Sequence, residues 1–296
     1  MKYSSYTYIG EFMYKKIIRP ILIILLVGFS FFYTEQSIDL IRNTDPLMKQ
    51  IKKSNYKYEI KPTNAKIKDN TIIPGTTGKE IDYEKTYTNM KKYGTYNESL
   101  TSLKETKPTI SIDDIYDKFI IQGNEQKKSV ALVFKVEENT NINKLVSILN
   151  NENIKVTFFI DGIYIEKNYT SLEQILNHEL ELLSYNNTYD EITFTSSLSY
   201  LGSITNKSPK YCYAEYDNKE VIELCSKLKL HTIIPTIQIK NNPYKEIKDK
   251  LTNSAIISIP ITSSYLNELQ VSIKYIKSKG YSFKTLEDLL SETVEK

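Results

Sequence analysis

The chain of 296 residues has no tryptophan, two cysteines, two histidines and nine glycines. Each shortage closes a class of function. Cys212 and Cys225 alone make no metal-type cysteine cluster. His178 and His231 are the only imidazoles, so a relocated zinc site would need both to converge with carboxylates such as Asp161. A satisfied core or surface histidine is the simpler reading of each. Gly162, Gly202 and Gly280 stand isolated, and no Gly-x-Ser-x-Gly elbow occurs, so neither a hydrolase nucleophile nor a phosphate loop is indicated. Charge of one sign is lacking too: 39 basic against 36 acidic residues leave a net +3, well interspersed. That balance carries no nucleic-acid footprint. Tyrosine, by contrast, is abundant at 24 residues. With frequent Lys, Asn and Ile it reads as an AT-rich coding bias; a tyrosine-lined sugar-binding surface is the rival.

One segment, Ile17 to Tyr33, has membrane length, close to the lower limit of about 17 residues. Lys15, Lys16 and Arg19 open it, which predicts a cytoplasmic N-terminus and an extracytoplasmic body. Phe31-Phe-Tyr-Thr-Glu-Gln36 offers no small-residue cleavage site, so an uncleaved single-pass anchor in the cell membrane is expected over a signal peptide. The expected organisation is a tail and anchor over 1–34, a stalk over 35–71, a small accessory region over 72–126 and a main domain over 127–296. Cys225 falls on the apolar face of a helix with Val221, Ile222 and Leu228, as a buried thiol would; its spacing from Cys212 neither requires nor forbids a disulfide.

The main domain is organised around Ser129-Val-Ala-Leu-Val-Phe-Lys-Val136, an apolar β-branched run that ends abruptly in Glu137-Glu138. It reads as a buried strand whose C-terminal tip meets solvent. Strand-like runs near 155–160, 181–185, 211–213, 230–236, 255–259 and 281–283 then alternate with helical patterns at 141–150, 170–178, 218–229, 244–251, 264–279 and 285–294. The segment from about 187 to 210 reads as irregular and polar. Such alternation predicts a parallel α/β core with its site at the C-terminal strand ends. About seven βα units in so short a domain suit a distorted (β/α)7-type barrel.

Several stretches in this order resemble the polysaccharide deacetylase (NodB-homology, carbohydrate esterase family 4) domain. They are Ser129 to Phe134, Ile154-Lys-Val-Thr-Phe-Phe-Ile-Asp-Gly162, Asn177-His-Glu-Leu-Glu-Leu-Leu-Ser-Tyr-Asn-Asn187 and the closing Ile276 to Leu290 with Gly280-Tyr281 and Thr285-Leu286. The resemblance implies a glycan groove and, in the family, a divalent metal held by two His and an Asp beside an Asp base. Carried over by position, the base is Lys135, the ligand Asp is Val136, the two histidines are Leu183 and Asn187, and Pro260 stands where the acid histidine belongs. Leu and Val cannot ligate such a cation.

The expected reading is therefore a pseudoenzyme with no cofactor, binding peptidoglycan or another glycan, or an envelope protein partner. By position the groove candidates are Lys135, Tyr185, Asn187, Tyr213 and Glu215. Two other classes compete: an active deacetylase with a relocated metal such as zinc, and a structural envelope or sporulation scaffold. Glu137 and Glu138, adjacent on a strand end, point to opposite sides and do not make a glycosidase pair.

Overall fold

The computed structural model describes residues 19–183 and 191–293. Strands are numbered along the chain as β1 (Lys66–Lys68), β2 (Thr71–Ile73), β3 (Gly78–Ile81), β4 (Leu103–Thr106), β5 (Phe119–Ile120) and β6 (Ser129–Val136). There follow β7 (Thr157–Ile160), β8 (Glu179–Leu182), β9 (Tyr211–Tyr213), β10 (His231–Ile233), β11 (Ile237–Gln238), β12 (Ala255–Ser258) and β13 (Ser282–Lys284).

The chain folds as two units: residues 61–78 with 106–296, and residues up to 60 with 79–105. In the larger unit β6 alternates as a pleated strand must. Val130, Leu132, Phe134 and Val136 join an outer apolar layer with helix residues such as Leu145, Leu149, Leu269 and Ile273. Ala131 and Val133 face a second cluster with Phe159, Leu183, Tyr213 and Ile256. Parallel pairing runs β11–β12–β6–β7–β8 and, separately, β9–β10. Strands β6 to β12 thus follow one another as a seven-strand ring with two open seams, the distorted barrel that the alternation predicts.

Side chains hold both seams. At the first, the Glu181 carboxylate of β8 accepts the N–H groups of Lys210 at 2.7 Å and Tyr211 at 2.9 Å. At the second, β5 pairs in parallel with β10, and the Thr236 hydroxyl donates to the Ile121 carbonyl at 2.5 Å while accepting the Ile256 N–H at 3.1 Å. Elsewhere Glu179 accepts the Leu286 N–H at 2.6 Å, holding the start of the last helix, Leu286–Leu290. Gly280 takes a positive φ of 78° just past the long helix Ser263–Ser278, the C-terminal role its place in the sequence predicts. Beyond Leu290 the buried Glu292 reaches back to the Gly75 N–H at 2.7 Å and the Ser111 hydroxyl at 2.5 Å. Only glycine fits at position 75, since a Cβ there would stand 2.1 Å from the Thr63 carbonyl oxygen.

Three features of this unit differ from expectation. Helix Glu191–Thr205 occupies the segment read as irregular. Its Ser and Thr residues weaken the helical signal, and their hydroxyls turn back onto the helix, Thr195 to the Glu191 carbonyl and Ser196 to the Ile192 carbonyl. The helix placed at 170–178 is two short ones, Gly162–Lys167 and Tyr169–Glu173, because Asp161 caps the earlier start by accepting the Ile163 N–H at 2.7 Å. Cys212 and Cys225 form a disulfide that ties β9 to helix Lys219–Lys227, so Cys225 is not a free thiol.

The smaller unit corrects the domain plan. Within the expected stalk, helix Pro46–Ser54 buries Leu47, Met48 and Ile51, and helix Tyr83–Lys91 from the expected accessory region buries Tyr87 and Met90 in the same cluster. Packing these apolar faces is incompatible with an extended stalk. The first described helix of the unit is Arg19–Thr44, whose apolar side chains from Ile21 to Leu26 and at Phe29 and Phe31 to Tyr33 are exposed. The expected span at 17–33 starts outside the described residues. Among the described residues no helix is long and apolar enough to cross a membrane, because this one runs on past Tyr33 into Glu35, Gln36 and Asp39.

Candidate functional site

In a parallel barrel, chemistry collects where strands end, because loops there leave backbone and side chains facing solvent. Four strand ends converge around Lys135, the penultimate residue of β6 on its inner face. Its ammonium pairs with the Glu215 carboxylate and lies 5.4 Å from the Tyr213 ring centroid. The hydroxyl of Tyr213, at the end of β9, shares a 3.0 Å hydrogen bond with that of Ser258, at the end of β12. Its ring meets Phe159 of β7 edge to face at 5.3 Å. Gln238 of β11 donates its side-chain amide to the Glu215 carbonyl at 2.5 Å.

Electrostatics fixes what this cluster can do. Burial works against the Lys135 ammonium, but the Glu215 hydrogen bond and the Tyr213, Glu215 and Glu137 interactions outweigh it, so the pKa is raised. A general base near neutral pH needs the opposite shift. Burial raises the pKa of the Tyr213 phenol, which stays neutral. Lys135 is a held cation, and cannot take a proton from water.

The other carried-over positions fit a metal no better. Strand β6 persists through Val136, so that side chain turns to the outer apolar layer, away from Lys135. Leu183 is fully buried in the inner cluster beside Val133, Phe159 and Tyr213. Pro260 lies half-buried beyond β12. Asn187 and Tyr185 lie outside the described residues. An ammonium, an averted methyl pair and a hydrocarbon are not ligands for the divalent ion the fold implies. No group of three or more His, Cys, Asp or Glu among the described residues could hold a metal.

His178 and His231 do not converge. His178, just before β8, accepts the Val156 N–H at Nδ1 at 3.3 Å and packs edge-on against Phe158; burial, with the Lys155 charge, pushes its pKa to about 4. His231 opens β10 and stacks on Tyr116 at 4.4 Å, with burial lowering its pKa. Asp161 is occupied as a helix cap. Glu137 is exposed, whereas Glu138 pairs with Lys167.

Of the groove candidates, Tyr213 is only 3% exposed, so its ring offers no sugar platform. Lys135, with 22% of its side chain exposed, and the more open Glu215 remain accessible, and the exposed ring next to them in sequence is Tyr216, at 56%. Sequence reasoning missed Phe159, Ser258 and Tyr216. The inward parity of strand-end positions is the signal that finds the first two.

Below the site, Glu179 and Glu181 share the inner face of β8, another pair not singled out from sequence. Burial raises Glu179, and burial together with the Glu179 charge raises Glu181 well above the ordinary carboxyl range, despite the N–H groups each accepts. The folded chain therefore retains protons that the unfolded chain has released, so stability falls as pH climbs above 4.5 through the folded pKa values. Glu181→Gln is expected to flatten that fall. Denaturation midpoints across the pH range would show it; equal slopes for both proteins would refute it.

Residues 122–236 match the family model of polysaccharide deacetylases. An uncharacterized protein of Bacillus subtilis strain 168, YlxY, is 27% identical over 315 residues, spanning 95% of this chain and 99% of its own. The crystal structure of BA3943, a CE4 family pseudoenzyme from Bacillus anthracis, superposes with a TM-score of 0.63 and 25% identity, covering 85% of this chain and 97% of its own. The Bc1960 peptidoglycan N-acetylglucosamine deacetylase shares the fold at a TM-score of 0.52, with 17% identity over 59% of this chain and 94% of its own.

Proposed function

On a polysaccharide deacetylase domain whose strand ends carry an ion pair in place of a metal set, we propose a binding protein that does not catalyse deacetylation. Its ligand is an N-acetylated wall glycan of the peptidoglycan type, taken at the C-terminal strand ends. The observation that carries this reading is the Lys135–Glu215 pair beside Tyr213 and Ser258, a polar cluster fixed by its own contacts. Carboxylate, ammonium and the neighbouring exposed Tyr216 ring are the groups that hold sugar hydroxyls and sugar faces. The apolar helix from Arg19 supports attachment to the cell membrane with the body outside, and the buried disulfide supports an oxidising compartment.

The test uses the full chain in detergent. We expect no stoichiometric zinc, cobalt or nickel after dialysis, no deacetylation of N-acetylated oligosaccharides, and retention on insoluble peptidoglycan. Tyr216→Ala with Glu215→Ala should weaken that retention about tenfold or more, the scale of losing one stacked ring and one charged hydrogen bond. Chelator-sensitive deacetylation would overturn the reading. Retention unchanged in the double variant would move the ligand elsewhere and favour an envelope protein as the partner.

A further inference from the structure

We propose that the smaller unit is a membrane-surface module that binds anionic lipid headgroups through Lys91, Lys92 and Arg42. The inference rests on the membrane attachment proposed above and adds to it a second, folded contact with the bilayer.

In helix Arg19–Thr44 the apolar run from Ile21 to Tyr33 is followed by nine further residues to Arg42, about 14 Å of helix. With that run held in the apolar layer of a membrane, the last turn lies just outside it, on the headgroup side. That turn carries Leu40 and Ile41, the latter 70% exposed, then Arg42. In the same unit this last turn meets helix Tyr83–Lys91 through the Arg42–Glu84 ion pair. Ile41 and Arg42 of one and Tyr87, Thr88, Lys91 and Lys92 around the other line a cleft of about 570 Å³.

The cleft is built around a tyrosine. The Tyr87 hydroxyl donates to Asp45 at 2.6 Å, fixing a ring that has the Arg42 guanidinium at 6.0 Å and the Lys91 ammonium at 5.1 Å from its centroid. Among the described residues, Glu84 pairs with Arg42 at 2.7 Å, and Asp45 also caps helix Pro46–Ser54. The Lys91 ammonium also acts on Asp45, and with Arg42 and Lys92 it makes three cations around the cleft to the carboxylates of Glu84 and Asp45 among the described residues. A cationic cleft at the exit of an inserted helix, bounded by an exposed isoleucine, complements a layer of phosphate headgroups over hydrocarbon.

The experiment incorporates the full chain into vesicles of phosphatidylcholine alone, or of phosphatidylcholine mixed equally with phosphatidylglycerol. Vesicles are floated, and amine acylation is followed residue by residue by mass spectrometry. At low salt, Lys91 and Lys92 should label about fivefold more slowly in the anionic vesicles, and high salt should abolish the difference, since headgroup attraction is screened within about 10 Å. Lys245 and Lys248, exposed in the larger unit, should label alike in both. Equal labelling of Lys91 and Lys92 in the two vesicle types overturns the inference while leaving attachment standing. A chain that floats with neither type overturns the attachment and the inference together.

Discussion

Val136→Asp, the substitution that would rebuild the family's metal ligand at its aligned position, should destabilise this chain by about 4 kcal/mol without creating a metal site. The expectation follows from strand parity. Because β6 continues through Val136, residues 135 and 136 face opposite sides, and Val136 is fully enclosed by the outer layer between strands and helices. An aspartate there gives up the transfer energy of a buried valine, about 1.5–3 kcal/mol. It also places a carboxyl among Phe134, Ile160 and their neighbours, where no donor meets it. Against a total stability on the order of 5–15 kcal/mol, that is a large fraction. Lys135→Asp, on the inner, solvent-reached side, should cost far less. Urea midpoints for the two variants test the ordering. A Val136→Asp protein of undiminished midpoint that takes up zinc would mean that the end of β6 turns inward.

Removing Glu292 should cost about 3 kcal/mol, an effect far larger than its place four residues from the C-terminus suggests. Its carboxylate accepts the Gly75 N–H at 2.7 Å and the Ser111 hydroxyl at 2.5 Å, with the Ile112 N–H at 3.4 Å, and its own carbonyl accepts the Thr77 N–H at 2.5 Å. Alanine keeps the backbone bond but leaves buried donors without an acceptor, each worth roughly 1–3 kcal/mol. Glu292→Gln retains an acceptor and should lose about half as much. Hydrogen exchange at the Gly75 amide reads the effect locally and denaturant titration reads it globally. Unchanged exchange at Gly75 in the alanine variant would show that this contact holds nothing.

These predictions mark the boundary between what the sequence settles and what it leaves open. The run Ser129–Val136 announces its strand because hydrophobic periodicity is a local property, and the same holds for helix Ser263–Ser278 with Gly280 behind it. The order of strands and helices, and with it the resemblance of 127–292 to the deacetylase fold, is legible for the same reason. Residue chemistry alone also says that Leu183 and Val136 cannot bind a cation.

Tertiary structure decided the rest. Helix Glu191–Thr205 is secured by Phe194 and Leu201 packing on the core, which outweighs a Ser- and Thr-rich composition. The supposed stalk folds because Met48 and Ile51 meet Tyr87 and Met90, partners far away in the chain. Whether Cys212 and Cys225 pair, which carboxylate closes a barrel seam, and that Glu215 comes to Lys135 across 80 residues are matters of distance in space. A sequence fixes the chemistry and local periodicity of each residue; which charges and sulfurs become neighbours depends on how the sheet closes, and that is set by the packing of the whole domain.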